Sequence, residues 1–486
     1  MTLAAVVLVT LVTVAIGAYG LRLARTTSDF LVASRSVSPR WNAAAISGEY
    51  LSAASFLGVA GLVLKNGVDV LWYPVGFAAG YLALLLFVAA PLRRSGAFTL
   101  PDFCELRLAS RKLRKLATLF VMFIGWLYLV PQLQGAGLTL ETVTGAPYWL
   151  GAVVVGGVVT ANVALGGMRA ITFVQAFQYW LKLTALALPV MFLLMAWQSD
   201  GRPAIAGHDA LDWLVPGSES LFSTYSLILA TFLGTMGLPH VLVRFYTNPD
   251  GQAARRTTLV VLGLVGLFYL MPTLYGALGR VYTPELAEGG RTDTVVLVLP
   301  EAMLGDGFGA RLLSALVAAG AFAAFLSSSS GLLTSVAGVL STDVLGRGSV
   351  RDFRLSSVVA GLVPMALALP VSALDVSTVV GLAFAVAASS FCPLLVLGIW
   401  WRGLTAPGAA AGIVTGGGAA VCAVLWTVLA GPPSGWAQPL VAQPAAWTVP
   451  LSFLVMVLVS LATRDRVPAG VNGIMLRLHS PDALRL

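Results

Sequence analysis

The chain has 486 residues, of which 58% are hydrophobic and 10% charged. Apolar runs of about 18 or more residues recur from end to end, each long enough for a membrane helix; this excludes a soluble globular protein, and no long polar region remains for a separate soluble domain. The net charge of +8 does not mark a nucleic-acid binder, because the basic residues cluster in short loops, as the positive-inside rule expects of a membrane protein.

Hydropathy predicts an all-α integral membrane protein of about 13 transmembrane helices. They lie near 2–24, 41–64, 70–92, 113–143, 147–168, 170–198, 221–247, 256–282, 311–344, 355–373, 377–401, 406–430 and 441–463. No Lys or Arg precedes Arg22, so the start lacks the basic region of a signal peptide and reads as a retained first helix with its N-terminus outside. Most of the 29 basic residues fall in alternate loops: Arg22, Arg25, Arg35 and Arg40; Arg93 to Lys115; Arg169; Arg255 and Arg256; Arg347, Arg351 and Arg354; Arg402; and the tail with Arg464, Arg466, Arg477 and Arg485. The intervening loops lean acidic, with Asp200, Asp209, Asp212, Glu219, Glu285, Glu288, Asp293 and Glu301. The expected location is the plasma (inner) membrane, multi-pass, with the C-terminus cytoplasmic.

Within the span 41–64 lies Gly48-Glu49-Tyr50-Leu51-Ser52-Ala53-Ala54-Ser55-Phe56-Leu57-Gly58, which puts a carboxylate, a phenol, serines and glycines into hydrocarbon. Backbone loosens at membrane depth only where it is buried in protein or lines a cavity, so a broken helix is expected here. A second interruption, Gly234-Thr235-Met236-Gly237-Leu238-Pro239-His240 with Arg244 following, falls in the seventh helix, five after the first. Paired breaks at corresponding positions point to two five-helix repeats and a midplane transport site.

Elsewhere, Thr99-Leu100-Pro101-Asp102-Phe103-Cys104-Glu105-Leu106 reads as a short inner-surface helix with Thr99 as its cap. The stretch 284–310 is Gly- and acid-rich and reads as irregular. The cysteines Cys104, Cys392 and Cys422 match no metal or redox spacing. Four serines, Ser327 to Ser330, sit within the span 311–344. Small-residue packing explains them as well as function does, yet hydroxyls and free carbonyls are hard oxygen ligands suited to a small cation.

The motif around Gly48-Glu49-Tyr50, the Gly237-Leu238-Pro239-His240 and Arg244-Phe245 pairs, Gly166-Gly167-Met168, and Ala321 through Leu345 together resemble the sodium:solute symporter family, specifically its acetate and monocarboxylate permease branch. The resemblance covers roughly residues 25 to 460. It implies a leucine-transporter-type fold with a 5+5 inverted repeat, one extra N-terminal helix and two extra C-terminal helices. The corresponding divisions are 1–40, 41–200, 201–402, 403–463 and a short cytoplasmic tail, 464–486. It implies a sodium site made by the carbonyls of Gly48, Leu51 and Ala324 and the hydroxyls of Ser327 and Ser328, with Asp343 fixing the register. Gln175 stands where many relatives carry an aspartate, which argues against a second, carboxylate-assisted cation site. The stretch Trp72 to Phe77 lacks the acid that sugar-transporting relatives place there, so a polyol is disfavoured.

For a carboxylate substrate, helix N-termini and hydroxyls are the suitable partners. Tyr50, Ser52, Ser55, Gln132, Thr235 and His240 are the candidates; interhelical bonding explains Gln132 and Gln134 equally well, and a structural cap explains His240. Glu49 and Arg244 are candidates for a gating or structural pair, while Lys182 is an intramembrane charge with no assignable partner. The expected activity is sodium-coupled import of a short monocarboxylate such as acetate, propionate or pyruvate by alternating access, with no cofactor beyond the coupling ion. Sodium, the acid and the bilayer are the expected partners, with no nucleic acid and no obligatory protein partner. Alternatives are an amino-acid or vitamin symporter, proton coupling through His240 or Glu49, and a transporter-like sensor. A membrane enzyme is disfavoured, because His208, His240 and His479 are scattered and form no nucleophile–base or metal constellation.

Overall fold

In a bilayer every backbone group must be satisfied within the protein, so apolar stretches of this length become helices. The computed structural model describes residues 1–20, 33–205, 213–214, 220–288, 291–346, 349–368, 376–431 and 433–481, and the described residues are all-helical. In chain order the main helices are α1 (Thr2–Gly20), α2 (Pro39–Tyr50), α3 (Val59–Asn66), α4 (Trp72–Ala83), α5 (Ala89–Ser95), α6 (Leu100–Leu108), α7 (Arg111–Thr144) and α8 (Tyr148–Ser199). Then come α9 (Leu221–Gly237), α10 (Pro239–Phe245), α11 (Gly251–Tyr282), α12 (Val295–Leu304), α13 (Phe308–Val339), α14 (Val350–Ala368) and α15 (Val376–Trp400). The last are α16 (Ala406–Gly412), α17 (Gly418–Ala430), α18 (Ala445–Ala462) and α19 (Val471–His479).

Among the described residues nine helices are long and apolar enough to cross a membrane, ten if the bent pair α9 and α10 is one span. By that criterion the expected thirteen is not reproduced. One reason is α8, 52 residues that count once by length although two helices meet in it at a kink, where two spans are expected. It bends at Gly167, whose φ of 59° and ψ of −169° lie where a side chain is disfavoured. The expected boundary between 168 and 170 falls on this bend.

Both predicted breaks are present. The first span stops at Tyr50 and resumes through a wide turn at Ala54–Gly58 into α3. The second stops at Gly237 and resumes at Pro239 with a 42° bend. Pro239 has no N–H to leave unpaired and so suits the first turn of α10.

The cap of α6 is as expected: Thr99 accepts from Asp102 N–H, and the Asp102 carboxylate accepts from the Thr99 N–H in return. The stretch 284–310 departs from expectation, since Val295–Leu304 is a helix. Val295, Val296, Leu297 and Leu299 are buried, and packing of this face against α11 and α13 outweighs the local glycine and acid content. The tail also holds a helix, α19, which packs on α5 with Leu478 buried. The ends of the expected spans 2–24 and 355–373 lie partly outside the described residues, as do Arg22, Arg25, His208, Asp209, Asp212, Glu219, Arg347 and Arg485.

The core is the bundle of α2, α8, α10 and α13, with α7, α11 and α15 around it. On the side of Lys65 and Asp69 a cavity of about 510 Å³ reaches down to Tyr73 and Leu227. Towards the other side a narrow cleft is lined by Thr99, Pro239, Thr334 and Gly338.

Candidate functional site

A helix that stops in hydrocarbon leaves its last carbonyls without N–H partners. At the end of α2 these carbonyls are met by side chains from other helices. Gly48 O accepts from Ser327 Oγ (2.6 Å) and Lys182 Nζ (2.5 Å), Glu49 O from Ser328 Oγ (2.5 Å), and Leu51 O from Lys182 Nζ (2.7 Å). Just beyond the break, the Ala53 N–H donates to Gln132 Oε1 at 2.9 Å. Gly48 permits this approach: a Cβ there would stand 2.2 Å from Gln175 O.

The expected sodium ligands therefore do gather at one place, but Lys182 Nζ lies among them. It contacts the carbonyls of Gly48 and Leu51 and, at 2.8 Å, the hydroxyl of Ser327. Ala324 O faces the Ser327 hydroxyl at 3.1 Å. The Ser328 hydroxyl is turned to Glu49 O. No partner for Lys182 was legible in the sequence; the available signal was its spacing from Gln175, two helical turns on α8, which puts both side chains on the face turned to α13. Gln175 indeed reaches the same helix, with Nε2 donating to Ser327 O at 2.8 Å.

Beside this lies the pair of Glu49 and Arg244, which are 2% and 0% exposed. Arg244 Nε donates to Glu49 Oε2 at 2.5 Å, Nη1 to Thr172 Oγ1 at 2.9 Å, and Nη2 to Gln175 Oε1. Gly331 makes room for the acid, since a Cβ there would lie 2.0 Å from its carboxyl. One network thus ties the end of α2 to α8, α10 and α13.

The substrate candidates surround the two breaks. Thr235 Oγ1 spends its hydrogen on Thr231 O (2.7 Å), so the Tyr50 hydroxyl is the donor in the 2.8 Å bond between Tyr50 and Thr235. Tyr128 donates to Ser52 Oγ at 3.2 Å, and Ser55 Oγ and the Tyr269 hydroxyl are 2.8 Å apart. Phe384 fills the space between these phenols, its ring centroid 5.7 Å from Tyr128 and 6.2 Å from Tyr50. His240 is buried edge-on to Tyr128 at 5.3 Å. Two polar atoms in this group, His240 Nδ1 and the Tyr81 hydroxyl, have no hydrogen-bond partner among the described residues. Gln132 stands apart from the other candidates in that its Oε1 is taken by Ala53 N–H. Sequence reasoning missed Tyr81, Tyr128, Tyr269 and Phe384, because aromatics at helical spacing look the same in a core as around a ligand.

Asp343 lies away from these groups. It binds Arg114 (2.5 Å) and accepts from Thr118 Oγ1 (2.7 Å), while Arg114 also holds Asp102 (2.7 Å) and Glu105 (2.6 Å). Burial pushes the Asp102 carboxyl above its ordinary range, and Arg114 works against that rise. No group of three or more His, Cys, Asp or Glu side chains able to hold a metal is found among the described residues.

Buried networks across interrupted helices, in an all-helical membrane bundle, define a transporter of small solutes. Comparison narrows the class, for the model of the sodium:solute symporter family matches residues 30–416. The chain belongs to the sodium:solute symporter family. Relatives include an uncharacterised symporter of Bacillus subtilis, 33% identical over 455 residues and covering 88% of each chain. Another is a monocarboxylic acid transporter of Corynebacterium glutamicum, 32% identical over 486 residues, covering 89% of this chain and 87% of that one. Among solved structures, a Na+-coupled sialic acid symporter in a substrate-bound outward-open state aligns with a TM-score of 0.76 at 15% identity, covering 96% of this chain and 97% of that chain. A nucleobase-cation-symport-1 family transporter with bromovinylhydantoin bound aligns with a TM-score of 0.58 at 15% identity, covering 92% and 98%. At such identities these likenesses show the fold. Family and fold are those of transporters, not of enzymes.

Proposed function

We propose that the chain is a secondary active symporter that imports a short-chain monocarboxylate, such as acetate, propionate or pyruvate, by alternating access. The observation that carries this reading is the buried ring of hydroxyls and His240 around both breaks, which includes two unpartnered polar atoms, Tyr81 Oη and His240 Nδ1. A carboxylate needs hydrogen-bond donors in a water-poor setting, and its one or two carbons suit the aromatic wall of Phe77 and Phe384. The Corynebacterium relative's description as a monocarboxylic acid transporter supports the same substrate class.

Alternating access then means rearrangement of one five-helix repeat, near 41–200, against its inverted counterpart, near 201–402, about the two broken helices. The basic end of the bundle, with Arg93, Arg107 and Arg114, is the cytoplasmic one in this reading. Sodium is the driving ion that the family's description suggests. The position of Lys182 favours a second reading, in which uptake runs on a proton gradient without sodium.

Uptake of labelled acetate into proteoliposomes tests both readings. Uptake should accumulate acetate against its gradient and be inhibited by propionate and pyruvate but not by amino acids. Inhibition by an amino acid with no acetate flux would overturn the substrate class. Imposing a sodium gradient and a pH gradient separately identifies the driving ion.

A further inference from the structure

One side-chain nitrogen meets three oxygens at the break in the first broken helix. Lys182 Nζ is 2.5 Å from Gly48 O, 2.7 Å from Leu51 O and 2.8 Å from Ser327 Oγ. Two of these acceptors are carbonyls, which cannot donate. The third has one hydrogen, directed to Gly48 O at 2.6 Å or Ala324 O at 3.1 Å, which leaves a lone pair for the lysine. An ammonium group fits this set completely, with each of its hydrogens matched by an acceptor.

We infer that the Lys182 ammonium is a covalently tethered occupant of the cation seat, so that this chain joins its first broken helix to α13 with its own amino group in place of a sodium ion.

The oxygens that would bind a sodium ion are the ones the ammonium uses, and the same lone pairs cannot serve both. Of the remaining expected ligands, Ser328 Oγ is engaged in donating to Glu49 O, and Ala324 O lies 3.1 Å from the Ser327 hydroxyl. The charge balance agrees. Lys182 is fully buried, so its charge cannot snorkel to water. Among the described residues, α2 brings Glu49 to the cluster, α10 brings Arg244, and α13 meets Lys182 with serine hydroxyls and carbonyls. On its own helix lie Gln175 and Tyr179; the latter donates to Leu264 O of α11 at 3.1 Å. Glu49 is matched by Arg244 at 2.5 Å. Lys182 thus supplies the one unmatched positive charge of the cluster, the same charge that a sodium ion would bring. Its bonds also span the same elements, since one amino group links carbonyls on both sides of the break to Ser327.

The test needs no substrate, so it stands or falls separately from the monocarboxylate reading. Purified protein is melted in sodium chloride and in choline chloride at equal ionic strength, and binding of radioactive sodium is measured. The wild type should melt at the same temperature in both salts and show no saturable sodium binding. Lys182→Ala removes the ammonium and leaves the oxygens. It should melt lower in choline and rise with sodium concentration, as a ligand of the folded state requires. Potassium should give a smaller rise. A folded Lys182→Ala protein that ignores sodium would overturn the inference. Should that variant fail to fold, the wild type decides: saturable sodium binding that Ser327→Ala abolishes means that sodium displaces the amino group, and the inference is wrong. Absence of such binding supports it.

Discussion

Among the described residues the Tyr81 hydroxyl and His240 Nδ1 have no hydrogen-bond partner although both side chains are buried. An unmet polar group at such a depth costs about 1–3 kcal/mol, which a ligand's oxygen can recover. Tyr81→Phe removes one of these groups without removing a protein partner, so the melting temperature should hold or rise slightly. If Tyr81 donates to the carboxylate, KM for acetate should rise roughly tenfold, the loss expected for one hydrogen bond to a charged group. An unchanged KM in a stable Tyr81→Phe protein removes Tyr81 from the substrate site. The sequence made Tyr50, Ser52 and His240 legible as candidates because polar residues in an apolar span stand out. It could not single out Tyr81, which looks like any interfacial or core tyrosine until its missing partner is seen.

At the scale of elements, the broken helix works because α2 lies directly on α8. Gly48 sets that distance, and a Cβ there would meet backbone, Gln175 O at 2.2 Å, which cannot turn aside as a side chain can. Gly48→Ala should therefore lower stability by about 1–3 kcal/mol, the usual cost of overpacking, whatever ion or acid is present. Gly263→Ala is the control: it lies within α11 with open space around the position of a Cβ, and its melting temperature should be unchanged or slightly raised. Equal melting of the two variants would mean that α2 and α8 are free to separate. The existence of this break was readable from composition, since Gly48, Ser52 and Ser55 do not belong in an uninterrupted membrane helix. The groups that satisfy it were not. Gln132, Lys182, Ser327 and Ser328 come from three other helices, between 79 and 279 positions away in the chain.

For the whole molecule, the proposed alternating access requires ties that can open at each end of the bundle. At the basic end Arg114 holds Asp102, Glu105 and Asp343, joining α6 and α7 to the turn after α13. The narrow cleft that runs past Thr99, Pro239 and Ser335 lies on this side. Asp343→Asn takes one charge from the tie. A cysteine introduced at Ser335, in a protein whose exposed Cys422 is replaced by serine, should then react several-fold faster with a maleimide added from that side. An unchanged rate would make the Arg114 cluster a fixed brace and not a gate. Asp343 was legible as an anchor of the family pattern, but its partners were not, because Arg114 and Asp343 are 229 positions apart.

The sequence by itself determined the membrane class, the helical fold, the two interruptions and the family, since each depends on apolarity, glycine and proline along a local stretch. It also named the oxygens around the first break. Tertiary structure alone decided what those oxygens face. The pairing of Glu49 with Arg244 and the placing of Lys182 among Gly48, Leu51 and Ser327 depend on how α2, α8, α10 and α13 pack. The helix at Val295–Leu304 was decided in the same way, by burial against its neighbours. In each case the deciding free energy belongs to contacts between distant segments, and spacing along a single chain does not encode them.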